Sequence, residues 1–245
     1  QINRTIFKKN KTIFTKFGCI RYFSNYFTAI DLVHRNVYEA LHRTNDILRF
    51  MILIDGKKEA ALLREQLKKE VSDLKNKYNK VPGLTVILIG DLTPSQIYVR
   101  NKEKSATEVG LKSDVIKYPD SVEEKVILEK IDELNKDNSV SGILVQLPLP
   151  KHIDKQKIIE AIDPSKDVDG FHPMNVGNLS SGYESSVPCT PLGCYLLIKK
   201  IEPNLNGKKA VVVGRSNLNG KPMTQLLLKE NCTVTITHSK TKDLK

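Results

Sequence analysis

Short segments rich in apolar and β-branched residues alternate with longer amphipathic segments along most of the chain. The short segments predict strands at residues 51–54, 84–90, 113–118, 142–147, 208–214 and 232–237. Between them, apolar residues at helical spacing among Lys and Glu predict helices at residues 57–78, 94–110, 122–136, 191–201 and 220–230. Apolar strands that alternate with helices are typical of parallel sheets covered on both faces.

A long polar interval divides this pattern into two parts. Residues 148–188 show no clear strand or helix period, so we predict that they are irregular and that a domain boundary lies near residue 190. The chain of 245 residues is long enough for two small domains. We therefore predict an α/β fold with two α/β domains. Residues 51–190 form the first, and residues 191–245 are the first part of the second.

The first fifty residues differ in composition from the rest of the chain. They hold nine Lys or Arg against three Asp or Glu, and six of the seven Phe residues. No apolar period is visible, so we do not expect them to join the core. The open interpretations are an extension ahead of a start at Met51, part of a longer sequence, a transit peptide, and a functional basic arm. We expect a cytoplasmic protein, or a mitochondrial one if this segment is a transit peptide.

Composition also bears on the classes of partner. The net charge of +11 would suit a polyanion, but no recognisable nucleic-acid-binding module follows Met51. No run of apolar residues is as long as the roughly 18 residues that a transmembrane helix needs. The four Cys residues form no CxxC pair, which argues against a disulfide scaffold or a zinc module. We expect no nucleic acid, no membrane and no metal ion as partner.

Three polar residues lie where the predicted sheet would place a cleft. Tyr98 and Lys102 are four residues apart on one predicted helix and therefore share a face. A lysine in a poorly solvated cleft can exchange protons near neutral pH. Gln146 ends an apolar strand, at the edge where open α/β sheets bind their ligands. Spacing alone leaves a structural role open for each of them.

The acidic segment KDVDGFHPMN (166–175) contains Asp167, Asp169, Gly170, His172 and Asn175. Two acids and a histidine are candidate metal ligands, but loops that bind hard cations carry more oxygen donors in closer order. A simple acid-rich turn is a second interpretation. The third is a carboxylate that accepts hydrogen bonds from an amino-heterocycle, and these interpretations stay open at this point.

The segment VVVGRSNLNGKPM (211–223) has features of a phosphate-binding turn. A strand ends at Gly214, and Gly220 begins a helix whose first amides are expected to face a phosphate. The spacing is not GxGxxG, so it is a weak dinucleotide fingerprint. Basic and hydroxyl residues stand where an NAD site would place an acid, which favours NADP. They are Arg215, His238, Ser239 and Lys240.

Together these segments resemble the bifunctional methylenetetrahydrofolate dehydrogenase/methenyltetrahydrofolate cyclohydrolase family. The matching segments are IDGK (54–57), PSQIYVRNK (94–102), GILVQLPLP (142–150), KDVDGFHPMNVG (166–177), PCTPLG (188–193), GRSNLNGKPM (214–223) and HSKT (238–241). The resemblance covers essentially everything from Met51 to Lys245, and motifs in this order are highly specific.

The resemblance implies a function and a set of partners. Family enzymes oxidise 5,10-methylenetetrahydrofolate by hydride transfer to NADP, and then hydrolyse the methenyl product to 10-formyltetrahydrofolate. The expected organisation is a folate-binding catalytic domain at residues 51–190, followed at residues 191–245 by the first part of a Rossmann-type NADP domain. Expected partners are tetrahydrofolate derivatives and a second copy of the chain in a homodimer, and the expected role is in one-carbon metabolism and purine biosynthesis.

The resemblance also implies roles for single residues. Lys102 would activate water and shuttle protons while Gln146 holds its amine. Tyr98 would orient the folate, and Asp169 would accept hydrogen bonds from the pterin. The implied catalytic set is Tyr98, Lys102, Gln146 and Asp169, with substrate contacts from Ser95, Tyr98, Gln146 and Asp169. The implied cofactor contacts are Gly214, Arg215, Ser216, Gly220, His238 and Ser239.

Other interpretations stay open beside this one. Family members continue beyond the region that matches Lys245, so we expect this chain to be an incomplete part of an active enzyme with only the beginning of its NADP domain. The alternatives are a dehydrogenase without efficient cyclohydrolase activity, a dehydrogenase that uses NAD, and a non-catalytic binding protein. Lys102 and Gln146 argue against the last, because binding alone needs no positioned amine.

Overall fold

The computed structural model describes residues 54–243 and, from the segment before them, Ile13. Parallel strands alternate with helices through this region. The strands are β1 (Gly83–Ile89), β2 (Lys112–Tyr118), β3 (Gly142–Val145), β4 (Lys209–Val213) and β5 (Thr233–Thr237). The helices are α1 (Gly56–Tyr78), α2 (Thr93–Glu108), α3 (Glu124–Lys136), α4 (Lys155–Ala161), α5 (Pro173–Ser180), α6 (Cys189–Ile201) and α7 (Gly220–Lys229).

The first sheet has three parallel strands in the order β2-β1-β3. Every residue of the central strand β1 is buried, because helices cover both of its faces. Leu84, Val86 and Leu88 pack into one core cluster with residues of α1 and α2. Ile87 and Ile89 point to the opposite cluster, which includes residues of α3 and α4. This three-layer arrangement fixes the carboxyl ends of β1 and β3 beside each other.

The second sheet contains β4 and β5, also parallel. One face of this sheet, with Ala210, Val212 and Val234, packs against α6 and α7 in a smaller cluster. On the other face, Val211 and Val213 are 67% and 77% exposed. The two sheets and their helices confirm the predicted α/β fold with parallel sheets.

Residues 148–188, which we expected to be irregular, contain the two short helices α4 and α5. The side chain of Asp154 caps α4 by accepting from the amides of Gln156 and Lys157. Helix α5 begins at Pro173, a favoured residue for the first helical position. Both helices have at most eight residues, which is too short for an apolar period to be recognised.

The beginning of the described region also differs from expectation. Residues 51–53 of the predicted strand 51–54 lie outside the described residues, and Ile54 belongs to no strand. Asp55 accepts a hydrogen bond from the amide of Lys58 and is thus the N-cap of α1. Ile13 is 1% exposed and lies in the core cluster of α1 and β1. The expectation that the first fifty residues do not join the core is therefore wrong for Ile13.

None of the helices within residues 54–243 combines the length and the apolar character needed to cross a membrane.

Candidate active site

Lys102 and Gln146 form a buried pair beside the first sheet. Lys102 on α2 is 4% exposed and Gln146, directly after β3, is 9% exposed. The Lys102 Nζ donates to Gln146 Oε1 at 3.0 Å. The Gln146 Nε2 donates to the carbonyl of Leu147 at 2.6 Å, so the orientation of the amide group is fixed. The structure thus places a lysine amine in a defined position away from bulk water.

Backbone contacts hold both partners of this pair. The amide of Gln146 donates to the carbonyl of Ile87 at 2.9 Å, which continues the ladder between β1 and β3 one residue beyond β3. On α2, Ser95, Val99 and Lys102 follow each other on the buried face. Tyr98 lies one turn before Lys102 and is half-buried. The predicted shared face of Tyr98 and Lys102 is therefore present at the carboxyl edge of the sheet.

The acidic segment after α4 is a tight turn built around Asp167. This carboxylate is 4% exposed. Its Oδ1 accepts from the amide of Gly170 at 3.0 Å, and its Oδ2 accepts from the amide of His172 and from Asn175 Nδ2, both at 2.9 Å. Sequence reasoning placed Asp167 among candidate metal ligands and missed this role as an anchor. The signal was an acid two residues before Asp169-Gly170, a spacing at which a carboxylate reaches the amides of its own turn.

The turn lies at the same edge of the sheet as Gln146. Asp167 forms a parallel bridge with Ile143 of β3, so the chain that follows runs alongside the end of that strand. A small cavity of about 20 Å³ beside β3 is lined in part by Leu147, Asp167, Asp169 and Phe171. Asp169, the predicted substrate ligand, is half-buried there. The structure therefore brings Asp169 to the strand end that carries Gln146.

Lys166 attaches this segment to the end of α3. Its Nζ donates to the carbonyls of Leu134, Asn135 and Asp137 at 2.7 to 2.8 Å. Partial burial lowers the pKa of Lys166 from its ordinary value, while Asp163 and Asp137 act in the opposite direction. The lysine thus satisfies carbonyls at a helix end that would otherwise have no partner within the helix.

The second group of candidate residues lies at the carboxyl ends of β4 and β5. Gly214 directly follows β4 and has φ +122°, and its amide donates to the carbonyl of Thr237 at 2.8 Å. A Cβ added at Gly220 would overlap the backbone of Gly214 and Arg215, so only glycine allows α7 to begin this close to β4. The turn between the two glycines is therefore tight.

The amides at the start of α7 differ from expectation. The amide of Asn219 donates to Ser216 Oγ, and that of Lys221 donates to the carbonyl of Ser216, both at 3.1 Å. Pro222 has no amide hydrogen. The prediction that the first amides of this helix face a phosphate is therefore wrong for Lys221, whose amide already donates to Ser216, and it stays a prediction for the amide of Gly220.

Two hydrogen bonds of His238 stabilise the loop after β5. Its Nδ1 accepts from the amide of Lys240 at 3.1 Å, and its own amide donates to Thr241 Oγ1 at 2.8 Å. Arg215, Ser239 and Lys240 are exposed. These side chains form a basic, hydroxyl-bearing surface next to the strand ends, without an acidic residue between 231 and 242. Within residues 54–243, no group of three His, Cys, Asp or Glu is arranged to hold a metal ion.

Comparison with known proteins relates both groups of residues to one family. Residues 54–169 match the tetrahydrofolate dehydrogenase/cyclohydrolase catalytic domain, and residues 188–245 match the NAD(P)-binding domain of the same family. Over 195 residues, the chain is 83% identical to the bifunctional protein FolD of Pelagibacter ubique (strain HTCC1062), covering 80% of this chain and 69% of that relative. The chain belongs to the tetrahydrofolate dehydrogenase/cyclohydrolase family. The resemblance found from the motifs is confirmed.

Other members of the tetrahydrofolate dehydrogenase/cyclohydrolase family agree in sequence and in structure. FolD of Listeria innocua serovar 6a (strain ATCC BAA-680 / CLIP 11262) is 56% identical, over 78% of this chain and 67% of that relative. The crystal structure of FolD from Campylobacter jejuni is 49% identical, with a TM-score of 0.76 over 79% of this chain and 68% of that chain. FolD of Trypanosoma brucei, solved with NADP cofactor and an inhibitor, is 36% identical with a TM-score of 0.73, over 78% of this chain and 65% of that chain.

Proposed function

We propose that the protein oxidises 5,10-methylenetetrahydrofolate with NADP and hydrolyses the resulting 5,10-methenyltetrahydrofolate to 10-formyltetrahydrofolate, as part of one-carbon metabolism. The observation that carries this proposal is the buried hydrogen bond of 3.0 Å between Lys102 Nζ and Gln146 Oε1. A protein that only bound a folate would have no need for an amine that is buried and held by one amide oxygen, since burial of a lysine is costly.

In the hydrolysis, Lys102 acts as the proton shuttle. The methenyl carbon of the substrate is already electrophilic, because it carries the positive charge of an amidinium group. Water attacks this carbon while the neutral Lys102 amine accepts the proton of the water, so that a C–O bond forms. The hydroxyl group of the adduct then loses its proton to solvent as the formyl C=O bond forms. The bond between this carbon and N5 breaks, and Lys102 returns its proton to N5. Gln146 holds the amine at the correct position throughout.

The folate ring requires contacts of a different kind. Tyr98, half-buried next to Lys102, offers an aromatic face to the pterin. Asp169 accepts hydrogen bonds from the amino and ring N–H groups of the pterin, and Ser95 contributes a hydroxyl from the buried face of α2. These residues lie at the edge of the sheet where parallel α/β folds bind ligands.

NADP binds at the ends of β4 and β5, and when bound it supplies the hydride acceptor. Gly220 allows the tight turn from β4 into α7 that would face the cofactor, Gly214 begins this turn, and Ser216 accepts a hydrogen bond within it. Arg215 and Ser239 contact the 2′-phosphate, while His238 orients the loop that carries Ser239. Preference for NADP is supported by these exposed donors and by the relative from Trypanosoma brucei that was solved with NADP.

Three further proposals concern the cellular role. The protein forms a homodimer, as the family resemblance implies. It acts in the cytoplasm, which is supported by its similarity to bacterial FolD proteins. A mitochondrial location is the alternative if residues 1–50 direct transport. The 10-formyl product would supply carbon for purine biosynthesis.

The proposed hydrolysis can be tested without a cofactor. Purified wild-type chain and the Gln146→Leu variant are given methenyltetrahydrofolate, and its consumption is followed. We expect wild-type hydrolysis well above the uncatalysed rate and a loss of about 10²-fold in the variant, which removes the acceptor that positions the amine. Gln156→Leu is the matched control, because Gln156 is exposed on α4 and bonds only with Asp154 and Glu160 among the contacts described. Undiminished hydrolysis by Gln146→Leu contradicts the proposal, as does wild-type hydrolysis no faster than in buffer.

A further inference from the structure

We propose that Asp167 is a positioning residue that holds Asp169 in its substrate-binding orientation, an inference that rests on the function proposed above. Asp167 itself is 4% exposed and its carboxylate oxygens accept from groups of its own turn. It therefore acts on the ligand through Asp169 and not by touching it.

The contact of Asp167 Oδ1 fixes the peptide bond that follows Asp169. The Gly170 amide that donates to this oxygen, at 3.0 Å, belongs to that peptide bond. Gly170 has φ +69°, and a Cβ at this position would lie 2.7 Å from the carbonyl oxygen of Ser186. The backbone on the carboxyl side of Asp169 is thus held by a hydrogen bond and by close packing, which leaves little freedom to reorient the Asp169 side chain.

The contacts of Asp167 Oδ2 fix the other end of the turn. This oxygen accepts from the amide of His172 and from Asn175 Nδ2, both at 2.9 Å. Asn175 is 1% exposed, and its Nδ2 also donates to the carbonyl of Pro164 at 2.8 Å. One carboxylate therefore ties together the residues before and after Asp169, and three N–H donors satisfy it in a site with little water.

Replacement of Asp167 by asparagine changes hydrogen bonding and leaves the shape almost unchanged. In either orientation of the new amide, an NH₂ group faces N–H donors: the amide of Gly170, or the amide of His172 and the Nδ2 of Asn175. At least one of the present hydrogen bonds is lost, and a buried donor is left without an acceptor. Asp169 then loses its fixed orientation although it is not mutated.

The test is a double-mutant cycle read by binding of 5-formyltetrahydrofolate to the full chain, measured by calorimetry. We expect Asp167→Asn and Asp169→Asn each to raise the Kd roughly tenfold, equivalent to about 1.4 kcal/mol. The double variant is also expected to raise the Kd only about tenfold, because both substitutions remove the same contact with the folate. Asn175→Ala, which removes one donor and leaves Asp167 in place, is a milder second variant. It is expected to raise the Kd less than Asp167→Asn does, and to add no further rise when it is combined with Asp169→Asn.

Asn135→Ala is the control for a loss of stability alone. The Asn135 side chain donates through Nδ2 to the carbonyl of Ala161 and accepts at Oδ1 from the amide of Asp163. It therefore supports the same region without a hydrogen bond to residues 167–175, and the contact of Lys166 is with the Asn135 backbone carbonyl, which the substitution keeps. This variant is expected to lower the Tm and leave the Kd unchanged. Two results overturn the inference, provided that Asp169→Asn still weakens binding. One is an unchanged Kd in both Asp167→Asn and Asn175→Ala, and the other is a hundredfold rise of the Kd in the double variant. If Asp169→Asn binds as the wild type does, the proposed folate contact itself is wrong, and the inference fails with it.

Discussion

Substitution of Lys102 by methionine is the most direct test of the proposed hydrolysis. Methionine has a similar length but neither an ionisable group nor a hydrogen-bond donor, so it removes the proton shuttle and largely keeps the packing of α2. Proton transfer by a positioned side chain is commonly worth about 10²–10⁴ in rate. That factor corresponds to about 3–5 kcal/mol of activation free energy.

The effect of this substitution on stability can be worked out from the same hydrogen bond. Gln146 Oε1 loses the donor that lies 3.0 Å away, and an unsatisfied buried acceptor costs about 1–3 kcal/mol. Against this cost, the variant no longer buries an ammonium or amine in a site that is 4% exposed, and burial of a charge costs several kcal/mol. The two contributions oppose each other, so we expect the variant to fold and the folate to bind.

The assay is the consumption of methenyltetrahydrofolate, with folate binding measured on the same preparations. Lys104→Met is the matched control, because Lys104 is exposed on the same helix two residues further on. The double variant Lys102→Met/Gln146→Leu removes both polar partners and is expected to regain stability but not rate. Hydrolysis at the wild-type rate in Lys102→Met, or its recovery in the double variant, would refute the role of the amine.

Three other predictions follow from contacts outside this pair. Arg215→Ala is expected to raise the Kd for NADP about tenfold and to leave the Kd for NAD unchanged, as measured by fluorescence titration; equal effects on both would show that Arg215 does not contact the 2′-phosphate. Gly220→Ala should lower the Tm, because its Cβ would overlap the Gly214 carbonyl, whereas Gly177→Ala, in open space on α5, should raise stability by about 0.5–1 kcal/mol. The opposite order of these two alanines in thermal unfolding would contradict the packing described. Hydrogen bonds from Lys199 and, to a smaller extent, Tyr195 lower the pKa of Glu230 below its ordinary value of 4.5. The ionised carboxylate therefore stabilises the fold at neutral pH, and this stabilisation is lost as the pH falls through the lowered pKa. The difference in Tm between wild type and Glu230→Gln should therefore shrink in acid, and a constant difference from pH 7 to pH 3 would contradict the assignment.

Most of the fold could be predicted because its strongest elements are regular. Strand β1 is a continuous buried run of seven residues, and helix α1 repeats buried apolar residues at helical spacing within its 23 residues. The predicted ends of both are correct to within one residue. Helices α4 and α5 could not be found in the same way, since fewer than three turns do not define a period. Their signals were local: Asp154 ahead of α4, and Pro173 at the start of α5. Burial of Ile13 depends on tertiary contacts that composition does not reveal.

The candidate site, like the fold, could be predicted only in part. The shared face of Tyr98 and Lys102 follows from helical spacing, and the strand-end position of Gln146 follows from the apolar run before it. The contact between Lys102 and Gln146 required the resemblance, because 44 residues separate them. Two sets of hydrogen bonds depend on turn geometry that residue types do not determine. They are the bonds that Asp167 accepts within its turn and the bonds that Ser216 accepts at the start of α7.

The separation of Lys102 from Gln146 has a consequence for the order of events in folding. Helix α2 can form from local contacts, but its lysine meets the amide only after β3 has paired with β1, which closes a long loop. During refolding, recovery of helical circular dichroism should therefore precede recovery of hydrolysis. The rate at which hydrolytic activity returns then measures the rate at which β3 pairs with β1, and no spectroscopic label is needed.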